Sequence, residues 1–317
     1  MYSSVLFSQK FSSKYYSSPL IVNPANTGRF IGGDYRISGI SRAEKNVFYQ
    51  DMSYAFSFDT RILKGSLPEE DKAAIALGAL SETDRYLGIK NSNLLISAAY
   101  FKGLNGEGIE QLSIGFQANI ATRKLETPSY IFADQLLRWE SSGFTGVLSE
   151  RQVIAVNYFD LNAGVYYQNH INHKYLLSLG VSILHANQPH QTFNGGEFSI
   201  KSQLCLQGGV EISLLERNKL QTNFTADGGA TGKAIDNFSI GCIYQMAIGQ
   251  TINKISIGSF FRNDNRYGTA ISPFIGLKFN STSINMAYDI TVSEKTSLQK
   301  NAFELGMVYI GRMAVKK

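Results

Sequence analysis

The sequence predicts a transmembrane antiparallel β-barrel of about fourteen strands, preceded by an irregular N-terminal segment. Three observations carry the prediction. Polar and apolar residues alternate strictly over long stretches, those stretches run to about ten residues, and they recur from one end of the chain to the other. From Ser113 to Ala121, Ile114, Phe116, Ala118 and Ile120 share one face, while Ser113, Gly115, Gln117 and Asn119 share the other. The same dyad returns at Phe159–Tyr167 and at Gln203–Leu214. Period-two alternation means strand, because successive side chains leave opposite faces of the pleat. Soluble strands usually run ~5–6 residues, whereas a tilted membrane strand needs ~9–11 to cross the hydrocarbon. A soluble β-sandwich shares the alternation, but its strands are shorter and fewer.

Taken in order, residues 1–32 carry no clean dyad, and Pro19 and Pro24 oppose a long strand there. They form the irregular segment, expected at the barrel mouth, and residues 33–317 form the barrel. Strands are expected at 33–42, 47–59, 73–82, 92–102, 111–121, 153–168, 174–185, 199–214, 219–227, 237–248, 253–262, 270–279, 282–291 and 301–311. With both termini periplasmic, every second connection is a short turn. Those near 168–174, 215–219, 248–254 and 280–282 fit. The opposite set, 121–153, 185–199, 262–270 and 291–301, is longer. Connection 59–73 breaks the rule.

Composition agrees with a barrel. Hydrophobic residues make up 44% of the chain, yet no uncharged apolar run approaches the ~18 residues of a membrane helix. Twenty Phe and seventeen Tyr supply interfacial rings, and 29 Gly suit bends and close lumenal packing. The opening M-Y-S-S-V-L-F-S-Q-K lacks the basic and apolar regions of an export signal, so the chain is read as the mature form.

A net charge of +5 is spread over residues such as Arg36, Arg42, Lys64 and Lys124, which flank strands. No basic run with interleaved aromatics is present to track nucleic acid. Cys205 falls on a polar face and Cys242 on an apolar one, which keeps the two thiols apart. His170, His173, His185 and His190 have no converging ligand set, so no metal or other cofactor is expected. No G-x-S-x-G elbow appears, and no catalytic residues are nominated. Two sets of site residues follow from the pattern. Arg36, Asp51, Asp160, Glu211, Arg262, Lys278, Asp289 and Glu304 should point into the lumen, mainly to satisfy one another. Tyr130, Phe132, Trp139 and Phe144 in loop 121–153, with Phe193 in loop 185–199, supply aromatic anchors for a partner.

F-S-Q at 7–9, P-L-I-V-N-P-A-N-T-G at 19–28, G-D-Y-R at 33–36, F-D-L-N-A-G-V-Y-Y at 159–167, L-G-V-S-I-L-H-A-N-Q-P at 179–189 and F-E-L-G-M-V-Y-I at 303–310 follow one another in the chain. In that order they resemble the PorP/SprF family of outer-membrane proteins, associated with type IX secretion and gliding. The resemblance implies a non-enzymatic barrel in the outer membrane of a Gram-negative bacterium, in contact with its lipid. It further implies that the barrel docks a secreted cargo or adhesin through that protein's C-terminal domain. The alternative is an outer-membrane channel, or a structural component attached to the periplasmic secretion ring. Partners are then the secreted protein and periplasmic type IX secretion or gliding components. His185 resembles a family position that anchors a turn.

Overall fold

A computed structural model describes residues 14–45, 50–84, 88–105, 109–125, 154–172, 174–193, 196–215, 218–230, 235–249, 253–265, 268–294 and 301–313. Long alternating segments become β1 (Tyr35–Lys45), β2 (Gln50–Ile62), β3 (Lys72–Asp84), β4 (Ile89–Gly103), β5 (Glu110–Leu125), β6 (Ile154–Ile171) and β7 (Tyr175–Leu184). A small hairpin, β8 (His190–Phe193) with β9 (Gly196–Ser199), interrupts the series. It resumes with β10 (Gln203–Leu215), β11 (Asn218–Gly229), β12 (Ile235–Ala247) and β13 (Lys254–Asp264), then β14 (Gly268–Phe279), β15 (Thr282–Glu294) and β16 (Ala302–Gly311). All strands except β8 and β9 close one antiparallel barrel, fourteen in number, in sequence order. The seam joins first to last strand, from Tyr35 opposite Gly311 to Glu44 opposite Ala302.

Burial follows the dyad. On β14, Gly268, Ala270, Ser272, Phe274 and Gly276 are buried, and Ile271, Ile275 and Leu277 are exposed. Phe56, Leu77, Ile96, Phe116, Ile120, Ile257 and Leu305 belong to the same outer apolar belt. In water such exposure would be costly; in a bilayer this face is the solvated one. Cys205 is buried and Cys242 exposed, and both are free thiols. Pro273 lies within β14, and with no N–H to donate it leaves the β14–β15 ladder unpaired between Ile271–Ile290 and Phe274–Ala287.

The sequence reading differs from the structure in three places. The eighth barrel strand starts at Gln203 rather than 199, because residues 196–199 pair with β8 instead. The N-terminal segment, expected as irregular chain at the mouth, is described from residue 14, and that part lies deeper and is more regular. It forms helical turns α1 (Lys14–Ser17) and α2 (Pro19–Val22) and a 3-10 turn, Pro24–Asn26, lodged within the lumen. Pro19 and Pro24 each open one of these turns, where a missing N–H costs nothing. Arg42, read as flanking a strand, is one of the most completely buried side chains of the described residues.

The long connection 63–71 lies at the rim where β1 begins and β16 ends, called here the terminal rim. It is a built turn. Asp71 accepts hydrogen bonds from Tyr100 Oη at 2.5 Å, Lys102 Nζ at 3.0 Å and the Gly103 amide at 3.1 Å. The Tyr100 and Lys102 bonds hold its carboxyl below the ordinary carboxylate value. Because the folded-state value is depressed, this latch acts fully above the ordinary pKa of about 4 and is lost as pH falls through the lowered one.

Two outcomes are expected. Leu305→Arg places a charge on the lipid face and should cost about 2–4 kcal/mol near the midplane. It is checked by the folded, heat-modifiable fraction recovered from membranes, and wild-type recovery would count against the placement. Limited proteolysis within 63–71 should stay constant from about pH 8 to 5 and rise only below about pH 4. Asp71→Ala should open the turn already at neutral pH.

Candidate functional site, a lumen closed by its own N-terminal segment

The interior contains more polar side chains than water can reach, so they pair with one another. On the seam side, Arg42 Nη1 donates to Asp289 Oδ2 at 2.7 Å and Glu304 Oε1 at 2.6 Å, while its Nε donates to Glu44 Oε1 at 2.7 Å. Arg262 Nη2 reaches the same Asp289 oxygen at 2.8 Å, and the Ser272 hydroxyl donates to the other. These groups come from β1, β13, β14, β15 and β16, so the network crosses the seam and also spans the ladder gap at Pro273. Removing one partner of a buried ion pair typically costs ~3–5 kcal/mol, which makes this a structural staple.

The plug is seated by the segment Asn23–Gly28. Asn23 Oδ1 accepts from the Ala25 amide at 2.8 Å and so opens the 3-10 turn. Its Nδ2 donates to the Val165 carbonyl at 3.1 Å and the Val181 carbonyl at 3.3 Å, on β6 and β7. Ser113 donates to the Ala25 carbonyl at 3.0 Å, and Ser182 to the Val22 carbonyl at 2.8 Å. Thr27 Oγ1 lies 2.7 Å from Ser97 Oγ. Asn26 Nδ2 donates to the Pro19 carbonyl at 2.9 Å. Gly28 has φ of +76° and gives its amide to Asp59 Oδ2 at 2.6 Å. That carboxylate is gripped in bidentate fashion by Arg36, with both bonds at 2.8 Å. A Cβ at Gly28 would overlap Ala74, and one at Gly164 would overlap Asn23 Oδ1. The wall is therefore cut back where the plug seats.

The plug reaches the remaining walls through apolar contacts. Ile21 packs with Ile40 and Ala55, and Tyr16 meets Phe260 and Phe274 with ring centroids 5.9 and 5.8 Å away. Two volumes remain on either side. Toward the far rim lies a polar chamber of about 90 Å³, lined by residues including Glu82, Asn119, Arg123, Asp160 and Gln203. Toward the terminal rim lies a vestibule of about 520 Å³.

At the far rim, His185–Pro189 carries the chain out of the wall after β7. Asn187 donates to the Phe159 carbonyl at 2.8 Å and accepts from the Leu161 amide at 3.0 Å. Its side-chain amide thus continues the β6 ladder where backbone is no longer there. His185 Nδ1 lies 2.9 Å from Asp160 Oδ1, and its amide donates to Asn162 at 2.9 Å. Asn119 donates to the other Asp160 oxygen at 2.9 Å. Gln191 of the hairpin accepts from Arg123 at 2.9 Å, which fastens β8 over the chamber.

The family model for the type IX secretion system membrane protein PorP/SprF matches residues 6–309, nearly the whole chain. The chain belongs to the PorP/SprF family. Comparison with curated protein sequences gives no match. Among solved structures the fold is similar to the toluene transporter TodX of Pseudomonas putida, with 11% identity over 92% of each chain and a TM-score of 0.54. A Pseudomonas aeruginosa FadL homologue is 9% identical over 94% of each chain, with a TM-score of 0.56. The Ralstonia pickettii toluene transporter TbuX is 9% identical over 92% of each, with a TM-score of 0.53. At these identities the likeness concerns the barrel fold, which is of the outer-membrane type.

In this PorP/SprF barrel the residues predicted to face inward lie as follows. Arg36 pairs with Asp59, Asp160 with His185, Arg262 with Asp289, and Glu304 with Arg42. Glu211 pairs with Lys219. Asp51 stands opposite Glu44 on the β1–β2 ladder, and Lys278 lines the vestibule. Tyr130, Phe132, Trp139 and Phe144 lie outside the described residues, as does His173. Phe193 ends β8, with its backbone opposite Gly196. Among the described residues no three His, Cys, Asp or Glu side chains converge as a metal site would require. Sequence reasoning overlooked the partners Arg42, Asp59 and Asn23. The N-P-A-N-T-G string was the available signal, since two Asn and two turn-forming positions packed so tightly mark backbone-binding chain.

If Asn23 and its neighbours form the seal, Gly164→Leu should displace them. Purified wild-type barrel in planar bilayers is expected to show no steady conductance, and the Gly164→Leu barrel to conduct. Equal conductance from the two would mean the plug is not the barrier.

Proposed function

We propose that this barrel is a non-enzymatic docking barrel of the Gram-negative outer membrane, holding a secreted surface protein of the type IX system at its far rim. Such a protein would be an adhesin bound through its C-terminal domain. Membership of the family supplies the secretion context. The observation that carries the docking reading over a channel is the plug. A channel needs a water-filled path, and here Asn23–Gly28 is bonded to the wall of the lumen while Ile21 and Tyr16 pack against other strands. The connections support the orientation: 172–174, 216–217 and 280–281 are short at the terminal rim, with 63–71 the exception, and 126–153 and 185–202 are long at the other. Short turns are periplasmic in barrels of this kind, and long loops extracellular. The long loops carry Tyr130, Phe132, Trp139, Phe144 and Phe193, rings suited to anchoring an interface with low entropic cost.

Alanine at Phe132 and Trp139 together should release the secreted partner from cells while the barrel stays heat-modifiable. Retained partner on a folded barrel would move the docking site elsewhere. A lost barrel would show that the rings serve the fold.

A further inference from the structure

Among the described residues, the vestibule at the terminal rim is lined by more cations than carboxylates. Arg29, Arg36, Arg61, Lys72 and Lys278 all line it. Arg36 is neutralised by Asp59. Glu211, the carboxylate among its lining residues, is neutralised by Lys219. Arg61 gives its donors to the Gly28 and Phe30 carbonyls and lies in the field of Asp59, the carboxylate that Arg36 already grips. Lys72 sits in the repulsive field of Arg61, and Lys278 stands opposite Lys254 on the β13–β14 ladder. Neither Lys72 nor Lys278 has an ion pair among the described residues. Elsewhere among the described lumenal residues, Arg42 and Arg262 meet carboxylates and Arg123 meets amides; here Arg29 is held on Tyr166, while Lys72 and Lys278 share one concavity with no ion pair among the described residues.

Of the acidic groups at the same rim, Asp34 pairs with Lys64 and Asp71 with Lys102. Glu110 faces outward to Tyr167, and Glu69 is exposed on the 63–71 turn. Between the two basic arcs, at β2–β3 and β13–β14, the wall presents amides: Gln111, Gln168, Gln221 and Gln245. Gln221 Nε2 donates to Glu211, and its Oε1 is buried with no hydrogen-bond partner among the described residues. Amides offer donors and acceptors together, which is what an extended peptide backbone asks for. Cations set apart on two sides of a cavity of about 520 Å³ suit charges spaced along a chain better than one compact anion.

We propose that the vestibule binds an extended, carboxylate-rich peptide segment entering from the terminal rim. The basic arcs would take the carboxylates and the glutamine row the backbone. The site is on the opposite side of the plug from the docking rim proposed above and does not depend on it.

The test uses the full-length barrel in detergent micelles and fluorescence anisotropy with a labelled peptide of alternating Glu and Gly. A Gln/Gly peptide of equal length is the neutral control. The Glu/Gly peptide should bind, weaken steeply with added salt, and bind the Lys72→Gln/Lys278→Gln barrel about tenfold more weakly. A Lys90→Gln/Lys124→Gln barrel, with the same loss of charge at the far rim, should bind like wild type. Heat-modifiability confirms that each barrel is folded, and the single Lys278→Gln variant serves if the double one is not. No binding of the acidic peptide, or equal weakening in both double variants, would overturn the proposal. Displacement of the peptide by inorganic phosphate at equal charge concentration would overturn it in favour of a small-anion site.

Discussion

Inside a bilayer there is no water to satisfy a backbone N–H or C=O, and this one constraint organises the molecule. Each strand must pair on both sides, so the sheet has to close, and the first strand must find the last. In this chain that meeting is reinforced where it is most exposed to failure. Arg42 of β1 sits at the seam with Glu304 of β16 and Asp289 of β15, and Arg262 and Ser272 bring in the next two strands. The same cluster covers the place where Pro273 withholds a ladder bond. Charge is affordable there because every ion has a partner; an unpaired one would destabilise the wall by more than the pair contributes.

Closure creates an interior, and the interior must then be filled or wetted. This chain fills its middle with its own leading residues. The segment Asn23–Gly28 works because it is rich in groups that bond to backbone. Asn23 reaches two wall carbonyls, and wall hydroxyls from Ser113 and Ser182 reach plug carbonyls in return. Small wall residues make the approach possible: Gly164 and Gly115 leave room that any side chain would occupy. Plug and wall are thus complementary at the level of single atoms, although they lie far apart in the chain.

The plug divides the lumen into two volumes of different chemistry. The far-rim chamber is small, internally hydrogen-bonded and roofed by the β8–β9 hairpin. The terminal-rim vestibule is larger, open and positively charged. A barrel so divided presents two separate faces to its surroundings.

The alternating residues determined the barrel by themselves. Parity along a strand is local, so Ile114 and Gln117, or Leu305 and Glu304, could be assigned to opposite faces before any partner was known. Strand length then selected a membrane rather than a second sheet. The inward assignment of Asp160 and Asp289 came from the same parity. Only the tertiary structure decided which inward groups meet. Arg42 to Asp289 spans 247 residues, and Asn23 to Val165 spans 142. Such pairs depend on closure and on register, to which no local pattern is sensitive. The N-P-A-N-T-G string was visible as a motif, but its role was not, because its partners are wall carbonyls, and every residue type carries one. The short hairpin of β8 and β9 escaped notice for the related reason that four residues are too few to establish a period.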